Sequence, residues 1–260
     1  MDAARFTRAV VCRPSSTFAA GITKAQLGPP DLTVAETQHE RYCAALQHAG
    51  LRLTRIPAAE EFPDGCFVED VAVVTRAGAI YTHPGAPVRR GEVGYVRGWL
   101  ETLVPTLATI EPPGTLDGGD VCDAEDRTFI GLTARTNEAG AAQLARILEP
   151  LGQHMTIVDL RPVPGLLHLK SGFAFLGDGR FACAPAIATL PEIAGLPLVT
   201  VEPDEAYAAN AVRVNDVLLI ASGHPLLEAR LRGLGYDVVA LAMSEFRKLD
   251  GGLSCLSLRF

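Results

Sequence analysis

Short apolar runs separated by turn residues recur along the chain and predict β-hairpins. The stretches that show this pattern are CFVEDVAVVTRAGAIYTH, GGDVCDAEDRTFIGL, LHLKSGFAFLGDGRFACAP and ANAVRVNDVLLIASG. Their turns fall at residues 76–78, 123–126, 177–179 and 215–216. Asp-Gly and Asn-Asp pairs tolerate positive φ, so they favour tight hairpin turns. The sequence therefore predicts four hairpins.

Helical patterns follow the hairpins, and a further apolar strand comes after each helix. The apolar positions that indicate helices are Leu144, Ile147, Leu148 and Leu151 in one segment and Tyr42, Leu46 and Ala49 in another. A third helix is expected to begin at Pro225, which suits a first helical position, and to stop at Gly235. The strands expected after helices are LRLTRIP, LATIEPP, MTIVDLRP, LPLVTVEP and YDVVALAM.

The order hairpin, helix, strand therefore repeats about five times, with a spacing of roughly 40–50 residues. The simplest closed arrangement is a ring of five units around an axis. The last strand, in GLSCLSLRF, would close the ring by pairing with the first, in TRAVVCRP, which removes an exposed sheet edge. The alternative is an ordinary doubly wound sheet, which would not explain such a regular order.

Composition narrows the class of protein. The 260 residues are 48% hydrophobic, which is enough for a sizeable core. A formal net charge of −7 argues against a nucleic-acid partner or an anionic membrane surface. No long apolar segment opens the chain or reaches the length of a membrane span, so we expect a cytoplasmic protein. Six cysteines without a C-x-x-C pair disfavour a zinc ribbon, and the expected compartment disfavours disulfides.

In the ring arrangement, the hairpin starts converge near the axis. They bring together a thiol, an imidazole and several carboxylates: Asp64, Glu69, Asp70, Asp117, Asp120, His168, Asp250 and Cys255. Buried acids are costly without a cationic partner, so a bound cation is expected there. The residue spacing matches no zinc pattern, and the planar guanidinium group pairs bidentately with carboxylates. We therefore expect an organic cation rather than a metal.

Each of these residues also has a purely structural interpretation. A free cysteine usually behaves as a small core residue, and a histidine within GLLHLK can simply be a hydrogen-bonded core side chain. The LDGGD stretch can be an ordinary turn. Cys255 differs from the other cysteines because two glycines lie just before it and Asp250 lies five residues upstream.

Longer motifs give a family resemblance. FVEDVAVV, THPGAPVRRGEV, GTLDGGDV, GLTARTNEAG, LHLKS, YAAN and KLDGGLSCLSLRF resemble the dimethylarginine dimethylaminohydrolases, members of the guanidine-modifying superfamily. The resemblance runs from near residue 10 to the C-terminus. It implies a five-bladed α/β propeller of ββαβ units with pseudo-fivefold symmetry, in agreement with the repeat count. It also implies one guanidine-modifying catalytic domain over residues 1–260.

The resemblance further implies the roles of individual residues. The family's nucleophile falls on Cys255, its general acid/base on His168, and the carboxylate that orients the histidine on Asp117. The positions implied for substrate binding are Asp64 and Ile22 for the α-amino group, Glu69, Asp70 and Asp250 for the guanidinium, and Arg89 and Arg135 for the α-carboxylate. Both arginines are then expected to face the pocket mouth, although a surface arginine is the default for such polar stretches.

The implied reaction is hydrolysis of Nω-methylated arginines to citrulline and a methylamine, without a cofactor or a metal. An arginine deiminase or an amidinotransferase is disfavoured because 260 residues leave no room for an inserted domain. A hydrolase of hydroxyarginine remains possible, since the distal pocket would decide the substrate. A non-catalytic amino-acid-binding relative is disfavoured by the joint presence of Cys255, His168 and Asp117. The expected partner is a small molecule, and a homodimer is possible.

Overall fold

The computed structural model describes residues 5–260, and within them the chain forms five three-stranded sheets. The strands are β1 Arg8–Cys12, β2 Arg52–Ile56, β3 Ala72–Thr75, β4 Gly78–Tyr81, β5 Thr106–Thr109, β6 Val121–Ala124, β7 Arg127–Leu132, β8 His154–Asp159, β9 Phe173–Gly177, β10 Arg180–Cys183, β11 Leu198–Thr200, β12 Val212–Val214, β13 Val217–Ala221, β14 Asp237–Leu241 and β15 Leu258–Arg259. The α-helices are α1 Leu32–His48, α2 Arg90–Leu100, α3 Glu138–Leu148, α4 Pro225–Gly233 and α5 Ser244–Arg247.

Each sheet repeats one connectivity. An antiparallel pair such as β3 and β4 is followed by a third strand, here β5, that runs parallel to the second. All four expected hairpins are confirmed, and their turns contain non-glycine residues with positive φ at Glu125, Asp178 and Asn215. The expected third strands are confirmed as β2, β5, β8, β11 and β14. The doubly wound alternative is wrong, because the strands are divided among five separate sheets.

The two ends of the described chain close the ring. Strand β15 pairs antiparallel with β1, with Leu258 opposite Val10 and Arg259 opposite Ala9, as expected. The last strand is shorter than GLSCLSLRF suggested, because Ser254–Leu256 forms a 3-10 turn before the chain enters the sheet. Cys255 therefore lies in a turn rather than at the start of a strand.

Helix ends follow local chemistry. Asp31 caps α1 by accepting a hydrogen bond from Val34 N, and Asn137 caps α3 by accepting one from Gly140 N. Helix α4 begins at Pro225, and Gly235 adopts a φ of +91° just beyond its end, as the sequence predicted. Helix α3 stops at Leu148 and not at Leu151, because the chain continues as a 3-10 turn containing a proline.

One unit departs from the repeat. Residues 184–197, between β10 and β11, form successive turns and no α-helix. Pro185, Pro191 and Pro197 each lack a backbone N–H, so this segment cannot sustain helical hydrogen bonding. Ile187 and Ile193 still fill the position of a helix, since both side chains are fully buried.

Five 3-10 turns surround the axis, one immediately before each sheet or closing strand. They are Val68–Val71, Gly118–Asp120, Leu169–Ser171, Pro203–Ala209 and Ser254–Leu256. The first turn contacts the second and the last, the second contacts the third, and the third contacts the fourth. Asn210, just after the fourth turn, bonds to Ser254 in the fifth and completes the ring. The expected convergence of the hairpin starts is therefore confirmed.

Within residues 5–260, no helix has both the length and the apolar character of a membrane span.

Candidate active site

The ring of turns encloses a cavity of about 40 Å³ at the axis. Its lining contains Cys255, the only partly exposed cysteine within residues 5–260, together with His168, Glu69 and Asp250. The remaining lining residues are Gly119, Lys170, Ser171, Tyr207, Asn210, Gly252 and Ser254. The structure thus brings the expected thiol, imidazole and two of the carboxylates to one enclosed space.

Cys255 is held in its 3-10 turn with its sulfur next to a backbone donor, because Gly252 N lies 3.4 Å from Sγ. Burial raises the pKa of the Cys255 thiol to about 12, and the negative charges of Glu69 and Asp70 act in the same direction. The Gly252 N–H and Lys170 oppose this effect. The thiol is therefore neutral near pH 7 until another positive charge enters the cavity. Among residues 5–260, all six cysteines are free thiols, and the other five are buried.

His168 is paired with Asp117, as expected. Its Nε2 lies 3.0 Å from Asp117 Oδ2, and Asp117 is completely buried. Burial alone would lower the pKa of His168, but Asp70, Asp120 and Asp117 together raise it to about 9. The imidazole is therefore protonated near neutral pH and can donate a proton. Asp117 is itself held in place, because its Oδ1 accepts a hydrogen bond from Gly85 N at 2.9 Å.

Glu69 lies in a network of polar groups that the sequence did not reveal. Its Oε1 accepts a hydrogen bond from Lys170 Nζ at 2.6 Å, and its Oε2 accepts one from Ser254 Oγ at 2.6 Å. Asn210 joins these groups, since its Nδ2 donates to Lys170 O and to Ser254 Oγ. Lys170 and Asn210 do belong to the motifs LHLKS and YAAN, but no local pattern indicates their partners.

Asp70 is fixed by a buried arginine. Arg89 Nη1 donates to Asp70 Oδ2, while Arg89 Nε and Nη2 donate to Glu92 and Nη2 also donates to Phe67 O. Burial opposes ionisation of Asp70, but the charges of His168 and Arg89 lower its pKa to about 2. The side chain of Arg89 is only 5% exposed, so Arg89 is not a surface arginine. Two carboxylates and a backbone carbonyl hold it inside the protein.

Arg135 lies closer to solvent than Arg89. Its side chain is 14% exposed, and its Nη1 is 3.6 Å from Asp117 Oδ2. Asp64 is buried, and burial raises its pKa, although Arg89 and the Ile22 N–H oppose that change. Ile22 N lies 3.2 and 3.1 Å from the two oxygens of Asp64. The structure therefore brings Ile22 and Asp64 together, and the charge of Arg135 also acts to lower the pKa of Asp64.

Asp250 connects the cavity to the segment that follows Ile22. Its Oδ2 accepts a hydrogen bond from Lys24 N at 2.6 Å, and its φ of +58° turns the chain sharply before the two glycines. Residues 22–24 are thus attached to the site at two acids, Asp64 and Asp250.

Three buried side chains lie as close together as the ligands of a metal ion. One ligand atom each from Asp70, Asp117 and His168 lies within 4.8 Å of the others. Arg89 already donates to Asp70, and Arg135 lies beside Asp117, so these acids have guanidinium groups as their cationic neighbours. The arrangement suits proton transfer and binding of an organic cation better than it suits the tetrahedral nitrogen and sulfur ligands of zinc.

Two known proteins that carry the same name are similar to almost the whole of this chain. No protein-family model matches the chain. It is 38% identical over 256 residues to N(G),N(G)-dimethylarginine dimethylaminohydrolase from Pseudomonas aeruginosa, which covers 98% of this chain and 100% of that protein. A protein of the same name from Streptomyces coelicolor is 36% identical over 253 residues, covering 97% and 96% of the two chains.

Solved structures of proteins with this name also have the same fold as this chain. A cysteine-to-serine variant of the Pseudomonas aeruginosa protein in complex with citrulline superposes with a TM-score of 0.95 at 37% identity, covering 99% of this chain and 100% of that chain. A histidine-to-glycine variant of a dimethylarginine dimethylaminohydrolase, as an adduct with S-methyl-L-thiocitrulline, gives 0.93 at 37% identity, covering 98% and 100%. The N-terminal domain of a cyanobacterial arginine dihydrolase gives 0.81 at 19% identity, which shows a shared fold alone.

Proposed function

The chain belongs to the dimethylarginine dimethylaminohydrolase family, and we propose that it hydrolyses Nω-methylated L-arginines to L-citrulline with Cys255 as nucleophile. Dimethylamine leaves from the Nω,Nω-dimethyl substrate and methylamine from the monomethyl substrate. The observation that supports this most directly is the His168–Asp117 pair, 3.0 Å apart, in contact with the cavity that contains Cys255. The complex of the similar Pseudomonas aeruginosa protein with citrulline supports the same product.

The substrate itself supplies the charge that Cys255 needs. A guanidinium carbon is a poor electrophile, so attack requires a thiolate rather than a hydroxyl. In the free protein, burial and the neighbouring acids keep the thiol neutral. A bound guanidinium offsets the charges of Glu69 and Asp70, so it favours loss of the thiol proton to solvent as it binds. The carboxylates also hold the carbon towards sulfur, in the orientation that attack requires.

His168 then serves as acid and afterwards as base. Sulfur bonds to the guanidinium carbon, and the imidazolium donates its proton to the leaving amine as the carbon–nitrogen bond breaks. The remaining species is a covalent S-alkylthiouronium on Cys255. A water molecule attacks the same carbon and gives a proton to the neutral imidazole. Collapse breaks the carbon–sulfur bond, the remaining hydroxyl proton passes to the departing sulfur, and citrulline leaves with the Cys255 thiol regenerated.

The amino-acid end of the substrate is proposed to bind at the outer side of the site. The carboxylate of Asp64, with the backbone of Ile22 beside it, receives the α-amino group, and Asp250 completes the acids around the guanidinium. Arg135 holds the α-carboxylate, since it is the more exposed arginine. One hydrogen of Arg89 Nη1 is bound by Asp70, and the second hydrogen of this nitrogen donates to the substrate's α-carboxylate beside Arg135. Arg89 also keeps Asp70 ionised.

Entry of the substrate requires a movement. A cavity of about 40 Å³ is much smaller than the ~300–1,000 Å³ of typical small-molecule sites. The segment at residues 22–24 lies beside the site and forms hydrogen bonds to Asp64, Asp250 and Lys248. We propose that this segment opens to admit the substrate and closes over its amino group.

The wider organisation is also a proposal. Residues 1–260 form a single catalytic domain, since β15 at one end pairs with β1 at the other; residues 1–4 lie outside the described part of the chain. The six free thiols favour a cytoplasmic location. A homodimer is proposed as the assembly, and light scattering of the purified protein would test it.

The function is tested by citrulline release from a panel of arginines. The panel contains the asymmetric dimethyl, monomethyl, Nω-hydroxy and unmodified forms. We expect the two methylated forms to be hydrolysed with the highest kcat/KM. A preference for unmodified arginine would identify a deiminase, and a preference for the hydroxy form would identify a hydroxyarginine hydrolase.

A further inference from the structure

Asp120 is a completely buried acid that the mechanism above does not use. Its Oδ2 accepts hydrogen bonds from Thr136 Oγ1 at 2.7 Å and from Thr133 Oγ1 at 2.8 Å. Its Oδ1 accepts one from Leu169 N at 2.9 Å. The carboxylate is thus bound by three donors from two other parts of the chain, although burial raises its pKa to about 6.

Each of these donors adjoins a residue of the proposed mechanism. Leu169 N is the first amide after His168, so its bond to Asp120 fixes the backbone that carries the imidazole. Thr136 Oγ1 also accepts a hydrogen bond from Asp117 N at 3.1 Å. Thr133 Oγ1 also accepts one from Arg135 N at 3.0 Å. One carboxylate is therefore connected to the acid/base, to its orienting acid and to the proposed carboxylate-binding arginine.

We infer that Asp120 is a positioning residue of the reaction, which holds His168, Asp117 and Arg135 in their relative places and adds negative charge behind the imidazole. This inference rests on the proposed function. Space for the carboxylate depends on Gly131, where a Cβ would lie 3.1 Å from Asp120 Oδ1 and 2.9 Å from Leu169 Cβ. The other titratable groups near His168 are Asp70 and Asp117 beside the imidazole, Glu69, Lys170, Asp250 and Cys255 in the shared cavity, and Arg89 and Arg135 next to the acids.

The test compares Asp120→Asn with Asp126→Asn. Asn has the shape of Asp and can still accept from Leu169 N, but it removes the charge and presents N–H groups to both threonines. Asp126 is an exposed acid in the turn of the same sheet, so it controls for the loss of one charge. Its replacement should leave activity unchanged.

Two readouts separate positioning from a merely structural role. In NMR titration of the free protein, the His168 signal is expected to titrate roughly one pH unit lower in Asp120→Asn than in wild type, since one of the charges that favour the imidazolium is lost. Turnover of dimethylarginine should fall at least tenfold in kcat, with an increase in KM. For a methylated alkylguanidine that lacks the α-carboxylate, kcat should fall but KM should not change.

Thr136→Val provides a second variant if Asp120→Asn does not fold. It keeps the side-chain shape and the Asp120 charge but breaks the connection between Asp117 and Asp120, so kcat should fall severalfold while His168 titrates as in wild type. Wild-type titration and wild-type kinetics in a folded Asp120→Asn variant, with only a lower Tm, would overturn the inference. The titration needs no substrate, so it tests Asp120 even if the wild-type protein hydrolyses none of the methylated arginines.

Discussion

The His168 imidazole and the Asp117 carboxylate come from different sheets of the ring, yet their Nε2 and Oδ2 atoms lie 3.0 Å apart. Asp117 precedes β6 and His168 precedes β9, so each lies at the start of a 3-10 turn beside the axis. The pair therefore fixes the orientation of the imidazole through its Nε2 atom.

Replacement of Cys255 by Ser should remove nearly all turnover while the fold persists, because a neutral hydroxyl cannot attack a guanidinium carbon without strong activation. We expect kcat to fall by at least a factor of about 10³, with a Tm close to that of wild type. Steady-state citrulline release and a thermal melt would measure both. Cys122→Ser is the matched control: this thiol is buried in the core, so the variant should lose stability but keep its kcat. Activity of Cys255→Ser within about tenfold of wild type would rule out the nucleophile.

The activity should fall at alkaline pH because of His168. Its pKa is raised to about 9, so the imidazolium that donates to the leaving amine is present below that pH and is lost above it. We expect kcat/KM for dimethylarginine, which reports the free protein, to decrease as pH rises through about 9. Asp117→Asn removes a charge that raises this pKa, so the alkaline decline should begin at a lower pH. An alkaline limb that stays in the same place in this variant would contradict the proposed pairing.

His168→Gly should separate the two halves of the reaction. Formation of the covalent adduct needs no acid if the leaving group is a good one, whereas hydrolysis of the adduct needs a base to activate water. With S-methyl-L-thiocitrulline, which forms an adduct with a histidine-to-glycine variant of a similar protein, we expect the adduct on Cys255 to accumulate. Mass spectrometry of the quenched protein would detect it, with His154→Gly, an exposed histidine of β8, as control. Normal steady-state turnover of His168→Gly would exclude His168 as acid/base.

The repeat and its closure could be predicted from the sequence because hairpin turns and apolar periodicity are local properties. Turns such as 177–179 and helix signals such as Pro225 lie where the pattern placed them. The missing helix between β10 and β11 was not predicted, because a regular repeat led us to expect a helix where three prolines prevent one.

The contacts within the site could not be predicted, because they join residues that are distant in the chain. Lys170 lies 101 residues from Glu69, and Ser254 lies 185 residues from it. No local pattern indicates which of several buried acids a lysine or a serine will meet. The same reason applies to Arg89: the polar stretch around it is typical of a surface arginine, whereas Asp70 and Glu92 hold it inside the protein.

Arg135 and Arg89 should therefore respond differently to replacement by Ala. A charged hydrogen bond contributes about 1.5–3 kcal/mol, so Arg135→Ala should reduce kcat/KM for dimethylarginine by roughly ten- to a hundredfold. The loss should be much smaller for a methylated alkylguanidine without an α-carboxylate. Arg89→Ala leaves Asp70 and Glu92 buried without their partner, so it should lower the Tm and reduce activity on both substrates. Equal losses on both substrates for Arg135→Ala would contradict its role in carboxylate binding.

Gly119 tests whether the wall of the cavity is rigid. Its φ is not in the left-handed region, so its backbone would accept alanine, but an added Cβ would lie 2.7 Å from His168 Nδ1 and 2.8 Å from Asp70 Oδ1. Asp117 holds the imidazole, and Arg89 and the Gly119 N–H hold the Asp70 carboxylate, so neither side chain can move without breaking a hydrogen bond. We expect Gly119→Ala to lower kcat about a hundredfold, at the low end of the contribution from general acid–base catalysis, and to lower stability by about 1–3 kcal/mol. Gly98→Ala is the matched control, because no atom lies within 4 Å of an added Cβ at this position in α2. This variant should keep the wild-type kcat and raise stability by about 0.5–1 kcal/mol. Wild-type kinetics in Gly119→Ala would show that His168 and Asp70 can shift freely, and that the reaction does not depend on their fixed positions.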